Sequence, residues 1–156
     1  PLPRAIHTAF AVTVSAPWLD DEVFLRPTMS EFGSDAMFAE MTAPEGFRAR
    51  AAQVGNCTAL WETHSEEKVR GWQKPMVEAL EQMMGILDDG SLILHVSHSP
   101  SIELCLQGFA ERNNFLLPEG ADNIKELESI VIEFQQESES EPFEIKYARK
   151  ISAPMT

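Results

Sequence analysis

Cysteine is scarce in this chain: Cys57 and Cys105 are the only two in 156 residues. Two thiols cannot build a disulfide framework, and their spacing fits no zinc-binding pattern, so a stapled scaffold is excluded and a reducing cytoplasm is the expected compartment. Basic residues are also few, 12 against 25 acidic ones, which leaves a net charge of −13. Such a surface repels phosphodiester backbones, and nucleic acid is therefore not an expected partner. No run approaches the roughly 20 apolar residues needed to cross a bilayer, and no basic-then-apolar leader opens the sequence, so no membrane partner is expected either. Nothing in the residue pattern asks for a cofactor or a metal.

What is present describes a globular domain. The sequence is 44% hydrophobic and 24% charged, which suits one domain with a real core. No internal repeat or linker divides it, and residues 1–156 read as a single domain. The chain opens on Pro1-Leu2-Pro3 rather than on methionine. It is expected to be a processed product or an amino-terminally incomplete piece of a longer chain. The acidic excess is uneven, with five basic and fourteen acidic residues after position 78 against seven and eleven before it. Much of that excess lies in Glu137-Ser138-Glu139-Ser140-Glu141-Pro142 and the loop before it, a pattern expected of a solvated face.

Hydrophobic spacing predicts a helix over Arg4 to Ser15 and an extended segment over Glu22 to Arg26, ahead of Pro27. Two short helices are predicted over Ser34–Thr42 and Pro44–Val54. A longer one follows over Ser65–Leu87, with Val69, Trp72, Met76, Val77, Leu80, Met83, Met84 and Leu87 as its apolar stripe. Pro75 interrupts that stripe and is expected to kink or divide the helix. The stripe itself is core packing. Asp88-Asp89-Gly90 ends the element as a turn. Ser91 to Ser97 is a continuous apolar run of strand length, which predicts a strand buried on both faces, as in an α/β sheet. A helix follows from about Pro100 to Arg112. Ser129–Gln136 and Phe143–Ile151 complete the plan as two strands with an acidic connection.

The most informative local feature is Val96-Ser97-His98-Ser99-Pro100, where a buried strand feeds directly into a helix. Groups at the carboxyl end of a strand in an open α/β sheet face the ligand crevice, and a helix amino terminus beside them favours an anion. His98 and Ser99 are therefore candidate phosphate-binding residues. His95 should face the other way and reads as structural. A second candidate, Arg4, stands at the mouth of the first predicted helix, where its fork of donors could grip a phosphate.

These residues carry a resemblance. Leu2-x-Arg4-Ala5-x-His7-Thr8-Ala9 is similar to the Ser-x-Leu-x-Arg-Ala-x-Gln-Thr-Ala signature of the histidine phosphatase superfamily, the phosphoglycerate-mutase-like proteins. About ninety residues later, Leu94-His95-Val96-Ser97-His98-Ser99 resembles the strand ending in that family's second catalytic histidine. Leu25 to Gly33 resembles the Leu-x-Glu-x-x-Gly region that often donates a proton. The resemblance implies an α/β three-layer sandwich, with helices on both faces of a mainly parallel central sheet. It also implies phosphomonoester hydrolysis through a phosphohistidine. Arg4 would hold the phosphoryl oxygens, His98 would donate hydrogen bonds to them in the transition state, and Glu31 would protonate the leaving oxygen. Glu103, in the following helix, is the alternative acid.

The family's Arg-His-Gly nucleophile segment does not occur in the sequence. His7 stands where the family has glutamine, and His64 lies in a polar stretch. Two readings follow: a phosphatase whose longer parent chain supplies Arg-His-Gly, or a non-catalytic phosphate-binding or structural protein of the same fold. Either takes phosphate or a small phosphorylated molecule as partner and is compatible with a homo-oligomer. A third, a tautomerase-like use of Pro1 as general base, is disfavoured by the helical spacing after Pro3.

Overall fold

The computed structural model describes residues 34–85, 98–124, 129–135 and 144–151. They form five helices and one pair of strands. The helices are α1 (Asp35–Thr42), α2 (Phe47–Val54), α3 (Asn56–Thr63), α4 (Glu66–Met84) and α5 (Ser101–Asn113). The strands are β1 (Ser129–Gln135) and β2 (Glu144–Ile151).

Local chemistry accounts for most of the boundaries. Ser34 caps α1, its hydroxyl accepting from the Met37 N–H at 3.1 Å. Gly46, at φ +83°, permits the turn into α2. Glu66 and Glu67 place negative charge in the first turn of α4, complementing the helix dipole. Asn114, at φ +52°, ends α5 in the left-handed conformation, with its N–H donating to the Ala110 carbonyl.

The core is made by helices packing on helices. Met41 of α1, Phe47 and Ala51 of α2, Cys57, Ala59 and Leu60 of α3, Val69, Trp72 and Met76 of α4, and Leu104 and Cys105 of α5 form one buried cluster. A second cluster joins Val77 and Met84 of α4 to Phe109 of α5, with Phe115 and Ile132 packed against it. Helix α5 buries Ser101, Glu103, Leu104, Cys105, Leu106, Gly108, Phe109 and Ala110. A helix covered on so many sides lies inside the domain rather than on its surface. Ion pairs tie the outer faces together: Arg50 of α2 to Glu62 of α3, Lys68 of α4 to Glu40 of α1, and Arg70 of α4 to Glu111 of α5. All six partners are substantially exposed, so the pairs set register more than they add stability.

This architecture corrects the expected fold class. The described residues are mainly helical, and their only strand pairing is antiparallel, β1 with β2. An α/β three-layer sandwich around a parallel sheet does not describe them. The physical reason is that α1 to α5 bury their apolar faces on one another, and among the described residues no sheet lies between them. The run Ser91–Ser97, from which the buried parallel strand was read, lies outside the described residues, as do the predicted helix over 4–15 and the extended segment over 22–26.

Other expectations fare differently. The two short helices over 34–42 and 44–54 are present as α1 and α2, and the last two strands pair with a register step across Lys146. The long helix is present over Glu66–Met84, with Val69, Trp72, Met76, Val77 and Met84 of the anticipated stripe buried, Leu80 and Met83 half-buried and Leu87 outside the described residues, and Pro75 does not divide it. Helix α3 was not anticipated, because its eight residues mix polar and apolar types without a clear period. Among the described residues, no helix is long and apolar enough to cross a membrane.

Candidate functional site

The site is built where the chain enters α5. The His98 carbonyl accepts the Ile102 N–H at 3.2 Å, and the Pro100 carbonyl accepts the Leu104 N–H at 3.1 Å, so the loop is locked onto the first turn of the helix. The peptide bond between Ser99 and Pro100 is cis. The half-buried His98 ring meets Phe38 of α1 edge to face, with centroids 4.8 Å apart, and its Nδ1 lies 3.4 Å from the Ser99 carbonyl oxygen.

Ser99 belongs to a polar network. Its hydroxyl donates to Glu103 Oε1 at 2.7 Å and accepts from the Asn56 side-chain amide. The same amide reaches Glu103 Oε1 at 3.4 Å, and the Ile124 N–H donates to that oxygen at 3.2 Å. Three segments thus converge on one carboxyl group: the first residue of α3, the loop before α5, and the segment after it. Gly55 makes the approach between α3 and the later loop possible. At φ +87° it adopts a conformation that disfavours other residues, and a Cβ there would lie 3.0 Å from the Asp122 carbonyl oxygen.

Glu103 is 1% exposed, and burial pushes its carboxyl above the usual range, opposed by hydrogen bonds from Ser99, Asn56 and backbone amides. Its second oxygen, Oε2, has no hydrogen-bond partner among the described residues. A raised folded-state pKa means that the folded chain binds more protons than the unfolded one at any pH between the ordinary value of 4.5 and the folded value. The stability contributed by this carboxyl is therefore full below about pH 4.5 and falls as pH rises toward the folded value. Glu103→Gln should flatten that decline. Urea midpoints measured from pH 4 to 8 check it, and identical slopes for the two proteins would refute it.

A cavity of about 180 Å³ adjoins the network, with Cys57, Trp61, Glu103, Gln107 and Asp122 in its wall. Gln107 Oε1 accepts the Trp61 indole N–H at 2.6 Å and the Cys57 thiol at 2.8 Å. Burial, and then the neighbouring Glu103 carboxylate, push the Cys57 thiol up to about 12. Cys57 is consequently a neutral packing residue and a poor nucleophile.

Of the residues proposed from sequence, His98 and Ser99 are adjacent at the mouth of α5, and Glu103 bonds directly to Ser99. Arg4, Glu31, His7 and His95 lie outside the described residues. His64 ends α3, with Nε2 3.0 Å from the Met41 carbonyl oxygen and its ring edge-on to Trp72 at 4.9 Å. It is held as a structural histidine. Asn56 was missed because nothing in a linear reading joins it to Ser99, 43 residues away. The Ser99–Glu103 pair had a local signal, the four-residue spacing that brings side chains together at a helix start. Among the described residues, no group of three or more His, Cys, Asp or Glu side chains is placed to hold a metal ion.

Comparison with family models, with curated proteins and with solved structures finds no match to this chain.

Proposed function

We propose that the chain handles phosphomonoesters, as its resemblance to the histidine phosphatases implies. In this reading a phosphoryl group passes to a histidine of an Arg-His-Gly segment in a longer parent chain and then to water. His98 donates hydrogen bonds to the phosphoryl oxygens, Ser99 lines the same pocket, and Arg4 grips the oxygens as a fork. The observation that carries the reading is the placement of His98 and Ser99 together at the amino end of α5, where the helix dipole favours an anion. Glu103, through Oε1, and Asn56 hold the Ser99 hydroxyl in position. Of the two candidate acids, Glu103 has the raised pKa that proton donation requires. Glu31 keeps its place in the proposal through the motif around it.

The non-catalytic reading has its own support, since His64 is committed to the Met41 carbonyl and to Trp72 and is not available as the nucleophile. Under it, His98 and Ser99 bind phosphate without turnover. A cytoplasmic site of action goes with either reading and is supported by Cys57 and Cys105, both buried free thiols.

Turnover of p-nitrophenyl phosphate, together with phosphate binding followed by calorimetry, separates the two readings. The phosphatase reading expects hydrolysis that drops about a hundredfold or more in His98→Ala. The binding reading expects saturable phosphate uptake without hydrolysis, lost in the same variant. Neither hydrolysis nor uptake would refute both.

A further inference from the structure

A serine hydroxyl has one proton to donate and two lone pairs with which to accept. The half-buried Ser99 spends its proton inward, on Glu103 Oε1 at 2.7 Å, and one lone pair takes the side-chain amide of Asn56. A carboxylate can only accept, so this direction is fixed while Glu103 is ionised. Ser99 then has only a lone pair to show a ligand, and a lone pair repels an ionised phosphoryl oxygen. A protonated Glu103 reverses the direction. Glu103 Oε2 is buried with no partner among the described residues, so a proton placed there has no acceptor, whereas a proton on Oε1 faces the Ser99 oxygen. Ser99 then accepts from both Glu103 and Asn56, and its own proton is released to bond outward. The Ile124 N–H, 3.2 Å from Oε1, keeps the lone pair that remains on that oxygen.

We propose, resting on the phosphate-binding reading of His98 and Ser99, that Glu103 is a proton-linked switch for that site: a tetrahedral dianion binds together with a proton that Glu103 Oε1 takes from solvent, and the Ser99 hydroxyl turns outward to donate to the anion. The carboxylate becomes a carboxylic acid, the Ser99 hydroxyl keeps its own proton, and no covalent bond changes apart from the new O–H. Burial already holds this carboxyl above its usual range, which makes the uptake easier than at an exposed glutamate. The titratable neighbours do not replace it. Cys57 on α3, pushed up to about 12, stays neutral, and Asp122 after α5 is exposed. Helix α4 presents the uncharged Gln73 to this part of α5, and its Arg70 is paired with Glu111 further along. The His98 imidazole, next to Ser99, is the one other group that can gain a proton when an anion arrives.

Sulfate is the probe, because it stays a dianion throughout the range used and brings no proton of its own. Titration calorimetry on the full chain, in buffers of different ionisation enthalpy between about pH 5 and 8, counts the protons taken up per sulfate. Uptake is expected in the unsubstituted chain, with affinity falling as pH rises. Glu103→Gln and Ser99→Ala should each lose about one proton of that uptake and flatten the fall in affinity by up to about tenfold per pH unit. The double variant should lose no more than either single one, Ser99→Thr should keep the uptake, and the share belonging to His98 should survive in all of them. An anion that merely raised the Glu103 pKa through its charge would leave the uptake intact in Ser99→Ala, and that result overturns the switch. So does sulfate binding without proton uptake in the unsubstituted chain, or with undiminished uptake in Glu103→Gln. Those outcomes leave the phosphate-binding reading standing, whereas no sulfate binding at any pH overturns both.

Discussion

Replacing Phe109 with alanine will lower the unfolding free energy by about 4 kcal/mol. Phe109 is fully buried and is the largest side chain in that state among the described residues. It forms one buried cluster with Val77 and Met84 of α4, against which Ile132 of β1 also packs, and it meets Phe115 edge to face at a centroid separation of 5.6 Å. Truncation therefore removes apolar contact from α4 and from the segment after α5 at once. The neighbours sit on different elements and cannot all collapse into the space left behind, which places the cost in the upper part of the usual range. Urea unfolding followed by circular dichroism measures it. A loss below about 1 kcal/mol would mean that Phe109 is not the joint between α4, α5 and the segment after it.

Gly108→Val is expected to cost about 3 kcal/mol, for the opposite reason. A Cβ at position 108 would fall 2.5 Å from Gln73 Cγ and 2.8 Å from Val77 Cγ2, so α4 and α5 meet backbone to side chain at this point. Gln73 cannot simply swing aside. It is buried, its amide nitrogen donates to the Leu104 carbonyl at 3.2 Å, and its Oε1 accepts from Arg70 at 2.7 Å. Insertion must separate the helices or break that bonding. Gly71 supplies the internal comparison, since a Cβ there meets nothing within 4 Å. Gly71→Ala should stabilise the chain by about 0.5–1 kcal/mol through helix propensity alone. Equal effects at the two glycines would refute the close approach at Gly108.

The two glycines show where a linear reading stops. Both stand in helices with no local mark to separate them, and only the crossing of α4 over α5 makes one indispensable. The same holds for the candidate site. His98 and Ser99 were visible because they adjoin a helix start, and Glu103 because it lies in the helix that follows them. Asn56 and the Ile124 amide complete the network across long stretches of chain, and no periodicity reports such a meeting. His64 lies in the connection between α3 and α4, as its polar setting in sequence suggested, and only the fold adds a carbonyl partner and an aromatic neighbour for its ring.

The expected α/β sandwich was overturned on similar grounds. It was drawn from the apolar run before His98 and from a family resemblance, both of which speak about a few short segments. Helix-on-helix burial from Met41 to Phe109 is a property of how many segments share their apolar faces.

By itself, the sequence determined the local elements whose causes are local. The stripe of α4 follows from apolar residues three and four apart, α1 from the Ser34 cap, and the paired strands from their β-branched and aromatic content. It also determined the scarcity of cysteine from which a scaffold without staples was read, and both thiols are indeed free and buried. Only the tertiary structure decided that helices cover helices, that Glu103 is buried with one oxygen satisfied and one not, and that a cavity lined by residues as distant as Cys57 and Asp122 lies beside it. The physical reason is range: caps, turns and periodicity act over a few residues, whereas burial and electrostatic environment are set by whichever distant segments pack against a group.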